Sequence, residues 1–431
     1  MINLVKTFLV SIPLLMLSGC SSDDLTASEQ DNQDLYTYLK SDYFWNDELP
    51  SSINLSSWDT MPDAMFGLRA PDDRFSFVLT NEEYADYVAS VFFGFGFSHQ
   101  YDAERGGLLI RYVFEQGSAY QQGLRRGDVI TNVAGTDITE SSDLSTLFGP
   151  NEQGVTVDVT FVTPDNGNGL VTETQFTKSE IVANTVMATQ VKNVTINDTV
   201  NKVGYLVFDS FKVSSEQELE DAFSELAEQN IDELILDLRY NSGGRISIAQ
   251  QLSEQIAGQN VDNEIFVQYV HNELLTSNNR TTNFNAGNGR DNLNLDRLFV
   301  LTSASTCSAS ELVINALVPF IDVVVIGDKT CGKPIGMYPE EINDWTVFAI
   351  NFQTQNAAGF GDYFDGLPVD CAVEETIPGD WGTESEALLS EAIHYLQNGQ
   401  CSSVGTAGFK RFLGKQKVDF SQGPIKLRKA L

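Results

Sequence analysis

The sequence predicts an α/β protein in which a small helical segment and a β-rich segment precede a core of alternating strands and helices. Three observations support this prediction. Apolar and aromatic residues recur at helical spacing in residues 31–90, short strands separated by glycine turns occupy 91–183, and apolar strands alternate with amphipathic helices over 184–400. Such alternation indicates buried, mostly parallel strands that are covered by helices.

The first nineteen residues have the pattern of an export signal. Lys6 supplies the positive charge, and an apolar run covers residues 8–17. The following Leu17-Ser18-Gly19-Cys20 resembles the bacterial lipobox, which implies cleavage before Cys20 and lipid modification of that cysteine. Ser21 and Ser22 stand where a retention aspartate would keep a lipoprotein in the inner membrane, so we expect an outer-membrane anchor, with residues 20–30 as a tether. In the alternative, the signal is ordinary and the cysteine incidental.

The charge of the chain excludes several partners. It has 60 acidic and 26 basic residues, a formal net charge of −34. This charge argues against nucleic acid and anionic lipid surfaces as partners, which leaves the lipid anchor as the expected membrane contact. Three histidines and no cysteine pair at zinc-finger spacing predict neither a metal site nor a cofactor. The four cysteines after Cys20 allow three disulfide pairings in an oxidising compartment.

Residues 31–90 are predicted to form a small helical cap. Leu35, Leu39 and neighbouring tyrosines follow a helical period, and a second helical stretch follows Trp58. The segment closes with Asp72-Asp73-Arg74-Phe75-Ser76-Phe77, which is typical of a turn that leads into a strand.

Residues 91–183 resemble a PDZ domain. The resemblance lies in residues 123–133, with the core Gly-Leu-x-x-Gly-Asp-x-Ile, and a helix is predicted over 141–148. PDZ domains bind C-termini by adding the peptide as an extra strand and holding its carboxylate in a backbone nest. The resemblance implies that Gly94, Phe95, Gly96 and Phe97 form that nest. The alternative is a β-sheet spacer that binds nothing.

In the core, residues 184–400, the predicted elements alternate. Strands are expected at residues 203–208, 233–238, 266–270, 298–301 and 323–326, and helices at 216–228 and 246–256. The asparagine-rich residues 278–294 are predicted to be a surface loop. Residues 401–431 carry local basic charge and a sparse apolar pattern, and we interpret them as an appendage.

Two segments of the core point to chemistry. Ser308 lies where an apolar strand gives way to an apolar helix, so the helix N-terminus favours negative charge that develops beside it. Lys333 follows the next strand. A lysine that is desolvated beside a serine loses its proton readily and can act as a general base. Gly243 and Gly244 end another buried strand, where a sharp turn exposes backbone N–H groups. The alternatives are structural: Ser308 and Glu311 also form a capping box, and a Gly-Gly pair often makes only a turn.

Taken in order, these motifs resemble the C-terminal processing (tail-specific) peptidases, which are serine endopeptidases. The series runs from Asp-Arg-Phe-Ser through the PDZ segment, Asp-Leu-Arg-Tyr-Asn-Ser-Gly-Gly, Ser-Ala-Ser-Glu and Gly-Lys to Gly366-Leu367-Pro368-Val369-Asp370. The resemblance implies a crotonase/Clp-protease-like ββα spiral with an inserted PDZ domain. It implies that Ser308 is the nucleophile and Lys333 the base, with an oxyanion hole from Ala309 and one of the two glycines. Glu311 would orient the site or cap the helix, and the partners would be polypeptides with unstructured C-termini.

The chain departs from the familiar members at Cys307 and Cys331, which flank the two catalytic segments. They could pair and clamp these segments, with Cys371 and Cys401 as the second pair, or remain free thiols. Cys307 as nucleophile is a minor alternative. A related branch uses a histidine as base, for which His99 is the candidate.

Three functions remain open at this point. An endopeptidase fits the whole motif series. A non-catalytic peptide-binding protein on the same scaffold would keep the PDZ segment and lose turnover. An acyl-CoA enzyme on the crotonase fold is opposed by the export signal, since the compartment lacks CoA.

Overall fold

The structure is a computed structural model that describes residues 25–89, 91–164 and 169–402. The predicted signal, Cys20 and nearly all of the predicted C-terminal appendage lie outside the described residues. Within the described ranges, no helix combines the length and the apolar character needed to cross a bilayer.

The N-terminal cap is mainly helical. Its elements are α1 (Ala27–Asp42), α2 (Met61–Leu68), β1 (Phe77–Thr80) and α3 (Asn81–Ala89). The predicted tether at 20–30 is therefore wrong in its last four residues. Thr26 and Glu29 form a reciprocal capping box that starts the helix at Ala27. Strand β1 leaves the cap and pairs antiparallel with a distant strand at 345–348, so the cap is tied to the core by main-chain hydrogen bonds.

A β-rich domain follows the cap. Its elements are β2 (Val91–Gly94), β3 (Phe97–Asp102), β4 (Gly107–Val113), α4 (Ser118–Gln121), β5 (Val129–Val133), β6 (Thr136–Asp137), α5 (Leu144–Phe148), β7 (Thr156–Thr163), β8 (Leu170–Thr177) and β9 (Ser179–Val182). Helix α5 begins later than the predicted residue 141 because Asp143 caps it and accepts from the N–H groups of Ser145 and Thr146. Among the described strands, β3 is an edge strand whose single partner is β4.

The core contains the parallel sheet that the sequence predicts. Its elements up to the nucleophile segment are β10 (Val186–Ile196), β11 (Thr199–Phe208), α6 (Ser215–Gln229), β12 (Glu233–Asp237), α7 (Ile246–Ala257), β13 (Ile265–His271), β14 (Arg280–Asn283), β15 (Arg297–Thr302) and α8 (Ala309–Leu317). Those that follow are β16 (Asp322–Gly327), β17 (Ile335–Met337), β18 (Glu340–Ile342), β19 (Trp345–Phe348), β20 (Ile350–Gln355), β21 (Cys371–Ala372) and α9 (Ala387–Asn398). The main sheet has the order β10-β11-β12-β15-β16-β21 and is parallel from β11 onward.

One predicted core strand is present but lies outside the main sheet, and one predicted loop needs correction. The predicted strand at 266–270 exists as β13, but it pairs antiparallel with β14 and β20 in a second sheet rather than in the parallel one. The predicted loop 278–294 contains β14, because Arg280 to Asn283 pair with the edge of β13. The mixed α/β class is nevertheless confirmed.

The main sheet is covered on both faces. Helices α6, α7 and α8 pack their apolar residues on one face around Leu236 and Val300. Helix α9 packs on the other face around Ile235 and Phe299. Neighbouring residues of β12 and β15 thus point to opposite apolar layers, as alternation along a strand requires. This burial fixes the carboxyl ends of β12 and β15, from which the segments of the candidate active site extend.

Candidate active site

Ser308 occupies a strained turn between β15 and α8. Its backbone has φ +56° and ψ −113°, a positive φ that non-glycine residues rarely adopt. The residue stands at the N-terminus of a nine-residue helix whose other residues are buried. The turn therefore places the serine just before the helix. At this N-terminus the helix dipole favours negative charge.

Gly243 lies directly against Ser308. A Cβ atom at position 243 would lie 2.8 Å from the Cβ of Ser308 and 2.9 Å from the nitrogen of Ala309. The glycine also has a φ of +102°, which a side chain would oppose. The predicted Gly-Gly turn is thus brought to the nucleophile segment, and only glycine fits at its first position.

Buried Asn241 connects that turn to the nucleophile segment. Its side-chain oxygen accepts from the N–H of Gly243 at 2.9 Å. Its main-chain carbonyl accepts from the N–H of Cys307 at 3.0 Å and from the Ser310 hydroxyl at 2.9 Å. The asparagine amide donates to the carbonyl of Phe208 at 2.9 Å. Asn241, which the sequence analysis gave no role, therefore fixes the Gly-Gly turn relative to Ser308.

The backbone N–H groups near Ser308 are not equivalent. The N–H of Gly243 donates a hydrogen bond to the side-chain oxygen of Asn241. In the described part of the chain, the N–H groups of Ala309 and Gly244 have no hydrogen-bond acceptor. Ala309 is the first residue of its helix, where an N–H lacks an intrahelical partner. Of the three predicted oxyanion donors, Ala309 and Gly244 thus remain available and Gly243 does not.

The Lys333 side chain is withdrawn from solvent beside the cap. Its Nζ lies 5.1 Å from the ring centre of Phe75. Burial lowers the pKa of Lys333, while the nearby carboxylates of Asp73 and Glu311 partly oppose this effect. An ammonium group loses hydration on burial, which disfavours its charged form. The neutral amine is therefore populated at a lower pH than it is in water.

Glu311 links the two predicted catalytic segments. Its fully buried carboxylate accepts from the N–H groups of Ser308 and Lys333, each at 2.8 Å. It also accepts from the N–H of Gly332 at 2.8 Å and from the Thr330 hydroxyl at 2.5 Å. Burial raises the pKa of Glu311, whereas these hydrogen bonds favour its ionised form. One carboxylate thus holds the serine and lysine backbones together and also caps α8.

Both candidate disulfides are present. Cys307 is bonded to Cys331 with a Cα–Cα distance of 5.2 Å, and Cys371 to Cys401 with 5.6 Å. The first bond joins the residue before Ser308 to the residue two places before Lys333. A glutamate lies near each bond, but the sulfurs are committed to disulfides and offer no thiolate to a metal.

The cap supports the lysine segment through the predicted turn at 72–77. Arg74 donates to the carbonyls of Cys331 and Phe364 at 3.2 and 3.1 Å. Asp73 accepts from the Tyr43 hydroxyl at 2.7 Å and from the N–H groups of Phe75 and Ser76 at 2.9 Å. The Asp-Arg-Phe-Ser motif was visible in the sequence, but its contact with the lysine segment was not.

Residues 94–97 lie in the β-rich domain at the start of the β3 edge. Gly96 has a φ of +86°, and a Cβ there would lie 2.7 Å from the Cα of Gly117. The Phe95 ring contacts those of Phe97, Phe148 and Phe176. The loop thus adjoins an aromatic cluster between β3 and α5.

His99 also lies on β3. Its ring is 5.8 Å from that of Phe97 and 6.3 Å from that of Phe148, and burial lowers its pKa. No described contact links His99 to Ser308 or Lys333. The structure therefore places this alternative base among the aromatic residues of the β-rich domain.

A buried ionic network joins the β-rich domain to the core, and the sequence analysis missed it. Arg126 donates to Glu386 at 2.9 Å and to the carbonyl of Gly379 at 2.8 Å. Glu386 also pairs with Arg239, which bonds Asp237 at 2.6 Å. Arg239 precedes the Gly-Gly turn by four residues. The network therefore connects the domain interface to the segment that carries the predicted oxyanion donors.

The core of the chain is similar in sequence to a known peptidase family. Residues 202–362 match the model of peptidase family S41. The matched range contains Ser308, Lys333, Glu311 and the Gly-Gly turn. The family resemblance predicted from the motifs is confirmed over these residues.

The chain is also similar to individual members. It is 26% identical over 309 residues to the chloroplastic C-terminal processing peptidase of Tetradesmus obliquus, which covers 69% of this chain and 64% of the relative. It spans less than two thirds of the length of the curated relatives that it matches first.

Solved structures show the same fold. A Bacteroides fragilis protein assigned to the S41 proteases has a TM-score of 0.72 at 24% identity and covers 85% of this chain and 97% of its own. The photosystem II D1 C-terminal processing protease has a TM-score of 0.51 at 21% identity, with coverages of 81% and 94%. These likenesses establish the fold over most of the chain.

Proposed function

We propose that this protein is a serine endopeptidase with Ser308 as nucleophile and Lys333 as general base. One observation carries the proposal: the buried Glu311 carboxylate binds the backbone N–H groups of both residues at 2.8 Å. The disulfide between Cys307 and Cys331 reinforces the same juxtaposition. A capped helix alone requires neither a half-buried lysine with a lowered pKa nor a strained serine.

The groups present account for the steps of acyl transfer. Neutral Lys333 removes the proton from the Ser308 hydroxyl, whose oxygen attacks the carbonyl carbon of the scissile peptide. The N–H groups of Ala309 and Gly244 stabilise the negative oxygen that forms. As the C–N bond breaks, Lys333 returns its proton to the departing amine. Lys333 then activates a water molecule, which hydrolyses the acyl-enzyme and frees the Ser308 hydroxyl.

The β-rich domain serves, in this proposal, as a PDZ domain that captures substrate C-termini. Its support is the free outer edge of β3, the loop at residues 94–97 and the adjoining phenylalanine cluster. An extended peptide would add to β3, and its carboxylate would meet the N–H groups of the loop. A non-catalytic binding protein would use the same groove, so activity must be tested directly.

The proposed location is the cell envelope. The apolar run before Cys20 and the lipobox-like Leu17-Ser18-Gly19-Cys20 support a lipid anchor, and the serines after Cys20 favour the outer membrane. The disulfides in the described residues suit an oxidising compartment. Metabolic labelling with a palmitate analogue, compared between the parent and Cys20→Ser, tests the anchor.

The decisive experiment is cleavage of an unstructured polypeptide by the full chain and by Ser308→Ala. We expect the variant to fold normally and to lose cleavage. Ser305→Ala is the matched control, since Ser305 is an exposed serine in the same loop. Equal cleavage by the parent and Ser308→Ala would refute the assignment. Absence of cleavage by the parent, with retained peptide binding, would favour the binding-protein alternative.

A further inference from the structure

An open cleft of about 1340 Å³ lies between the cap and the core. Its walls come from residues near Trp45 in the cap, from the end of β13, and from the segments 328–331 and 359–365. Neither Ser308 nor Lys333 lines it, although Cys331 does. The cleft is therefore separate from the nucleophile but shares a wall with the lysine segment.

The cleft is acidic and aromatic. Seven carboxylates and three basic side chains line it, and one of the basic groups, Arg74, is bonded to backbone carbonyls. The exposed carboxylates are Asp47, Glu48, Asp72, Glu273, Asp328 and Asp365. Phe44, Trp45, Phe360 and Phe364 supply aromatic surface.

Several of these carboxylates have no cation of their own. In the described ranges, none of Asp47, Glu273, Asp328 and Asp365 takes part in an ion pair. Like charges gathered around a concave surface raise the local negative potential. The cleft is thus complementary to a segment that combines basic and aromatic residues.

The chain itself contains such a segment. Residues 403–431 have seven basic residues and one acidic residue, whereas the whole chain has a net charge of −34. Aromatic and aliphatic residues alternate with the basic ones, as in Phe409-Lys410-Arg411-Phe412-Leu413. No other stretch of the sequence combines this density of positive charge with aromatic residues.

The second disulfide places the start of this segment near the cleft. Cys401 is bonded to Cys371 with a Cα–Cα distance of 5.6 Å. Cys371 pairs with Ile326 of the neighbouring strand, and Asp328 follows two residues later at the cleft wall. Strand spacing and rise put Cys401 within about 17 Å of Asp328. The nine residues to Lys410 can span up to about 30 Å, so this stretch is long enough for the first basic pair to reach the cleft.

We propose that residues 403–431 dock in this cleft as an intramolecular ligand of the acidic wall. The Cys371–Cys401 disulfide directs the segment toward Asp328, and its lysines and arginines pair with the cleft carboxylates. Its phenylalanines pack against the aromatic wall, where basic groups gain further cation–π stabilisation. This inference concerns binding and does not depend on peptidase activity.

Carbodiimide coupling of the full chain tests the proposal, because it joins lysines to carboxylates in contact. We expect links from Lys410, Lys415 or Lys417 to Asp328, Asp365 or Asp47, identified by peptide mapping. These links should fall at least fivefold in 1 M salt, where the screening length is about 3 Å. Links spread over surface carboxylates in general would overturn the proposal, as would links that depend on protein concentration, which indicate a second copy.

A binding measurement in trans gives an independent test. The full-chain variant Lys410→Gln/Arg411→Gln/Lys415→Gln/Lys417→Gln leaves the cleft unchanged and should bind a labelled synthetic peptide of residues 405–431 at least tenfold more tightly than the parent. Adding Asp328→Asn and Asp365→Asn should remove this binding. Adding Glu225→Gln and Glu228→Gln, two exposed changes on α6, should not. Equal peptide binding by the variant with the added cleft changes and by the variant with the added α6 changes would exclude the cleft as the docking site.

Discussion

At the residue scale, two buried groups define the candidate site. Glu311 bonds the backbones of Ser308 and Lys333, and Asn241 bonds the Gly-Gly turn to the nucleophile segment. Neither group is required to touch substrate. In the proposed mechanism both are positioning residues, because they fix where the proposed nucleophile, base and oxyanion donors stand.

The base assignment predicts a specific pH dependence. Burial lowers the pKa of Lys333, and only the neutral amine accepts the serine proton. Activity should therefore rise with pH as Lys333 deprotonates, at a lower pH than an exposed lysine would require. Lys333→Arg should lose at least ~10²-fold in kcat, since arginine stays charged. Lys329→Arg, an exposed neighbour, is the control. A profile that His99→Ala abolishes would instead identify histidine as the base.

The role of Asn241 predicts a loss in kcat rather than in substrate binding. Asn241→Asp keeps the size of the side chain but removes the amide that donates to the Phe208 carbonyl. The Gly-Gly turn should shift relative to Ser308, and kcat should fall by roughly 10²-fold, as when one oxyanion donor is lost. KM and the melting temperature, measured alongside kcat, separate this effect from unfolding. Unchanged kcat in the folded variant would show that the turn needs no such support.

At the scale of elements, covalent and hydrogen-bonded links align segments that are distant in sequence. The disulfide between Cys307 and Cys331 closes a separation of 24 residues between the β15–α8 turn and the lysine segment. Strand β1 ties the cap to β19, and Arg74 ties it to the lysine segment. The candidate active site therefore depends on the β15–α8 turn, the lysine segment and the cap, whose relative positions no single helix or strand determines.

Reduction of that disulfide should lower activity before it unfolds the protein. A crosslink of this length contributes roughly 3 kcal/mol in the chain-entropy description, but Glu311 continues to bond both segments. We expect partial loss of kcat after mild reduction, with circular dichroism unchanged. Cys307→Ala/Cys331→Ala should reproduce the loss, whereas Cys371→Ala/Cys401→Ala should not. Full activity of Cys307→Ala/Cys331→Ala would show that this disulfide has a purely structural role.

The loop at residues 94–97 predicts recognition of a free carboxylate. Amidation of a peptide's C-terminus removes the charge that the backbone N–H groups would bind, so affinity should fall about tenfold or more. Fluorescence anisotropy with the free-acid and amidated forms of one peptide measures the difference. Equal affinities would indicate that the β-rich domain acts as a spacer.

At the scale of the whole molecule, a buried ionic network connects two domains. Arg126 of the β-rich domain reaches Glu386 of the core, which also binds Arg239. Removing one member leaves an incompletely compensated buried charge, which is strongly destabilising. The network thus couples the orientation of the β-rich domain to the segment that bears the Gly-Gly turn.

Arg126→Met should therefore destabilise the protein by about 3 kcal/mol and loosen the domain interface. Denaturant unfolding measures the first effect, and limited proteolysis between residues 178 and 186 measures the second. Arg105→Met is the control, because Arg105 pairs with Asp102 on the surface, where such pairs contribute little. Equal stability of the two variants would show that the interface depends on its apolar contacts.

The sequence by itself located the main strands and helices of this protein and supplied the residues that we propose for catalysis. Apolar periodicity located the strands of the parallel sheet, and the spacing of Ser308, Glu311 and Lys333 identified the motifs, because both signals depend on near neighbours in the chain. The tertiary structure alone decided which distant residues become partners. Glu311 bonds the lysine segment, the Asn241 carbonyl accepts from the N–H of Cys307, and Arg126 meets Glu386, 260 residues away. Local patterns cannot specify such contacts, because they arise only when distant elements pack together.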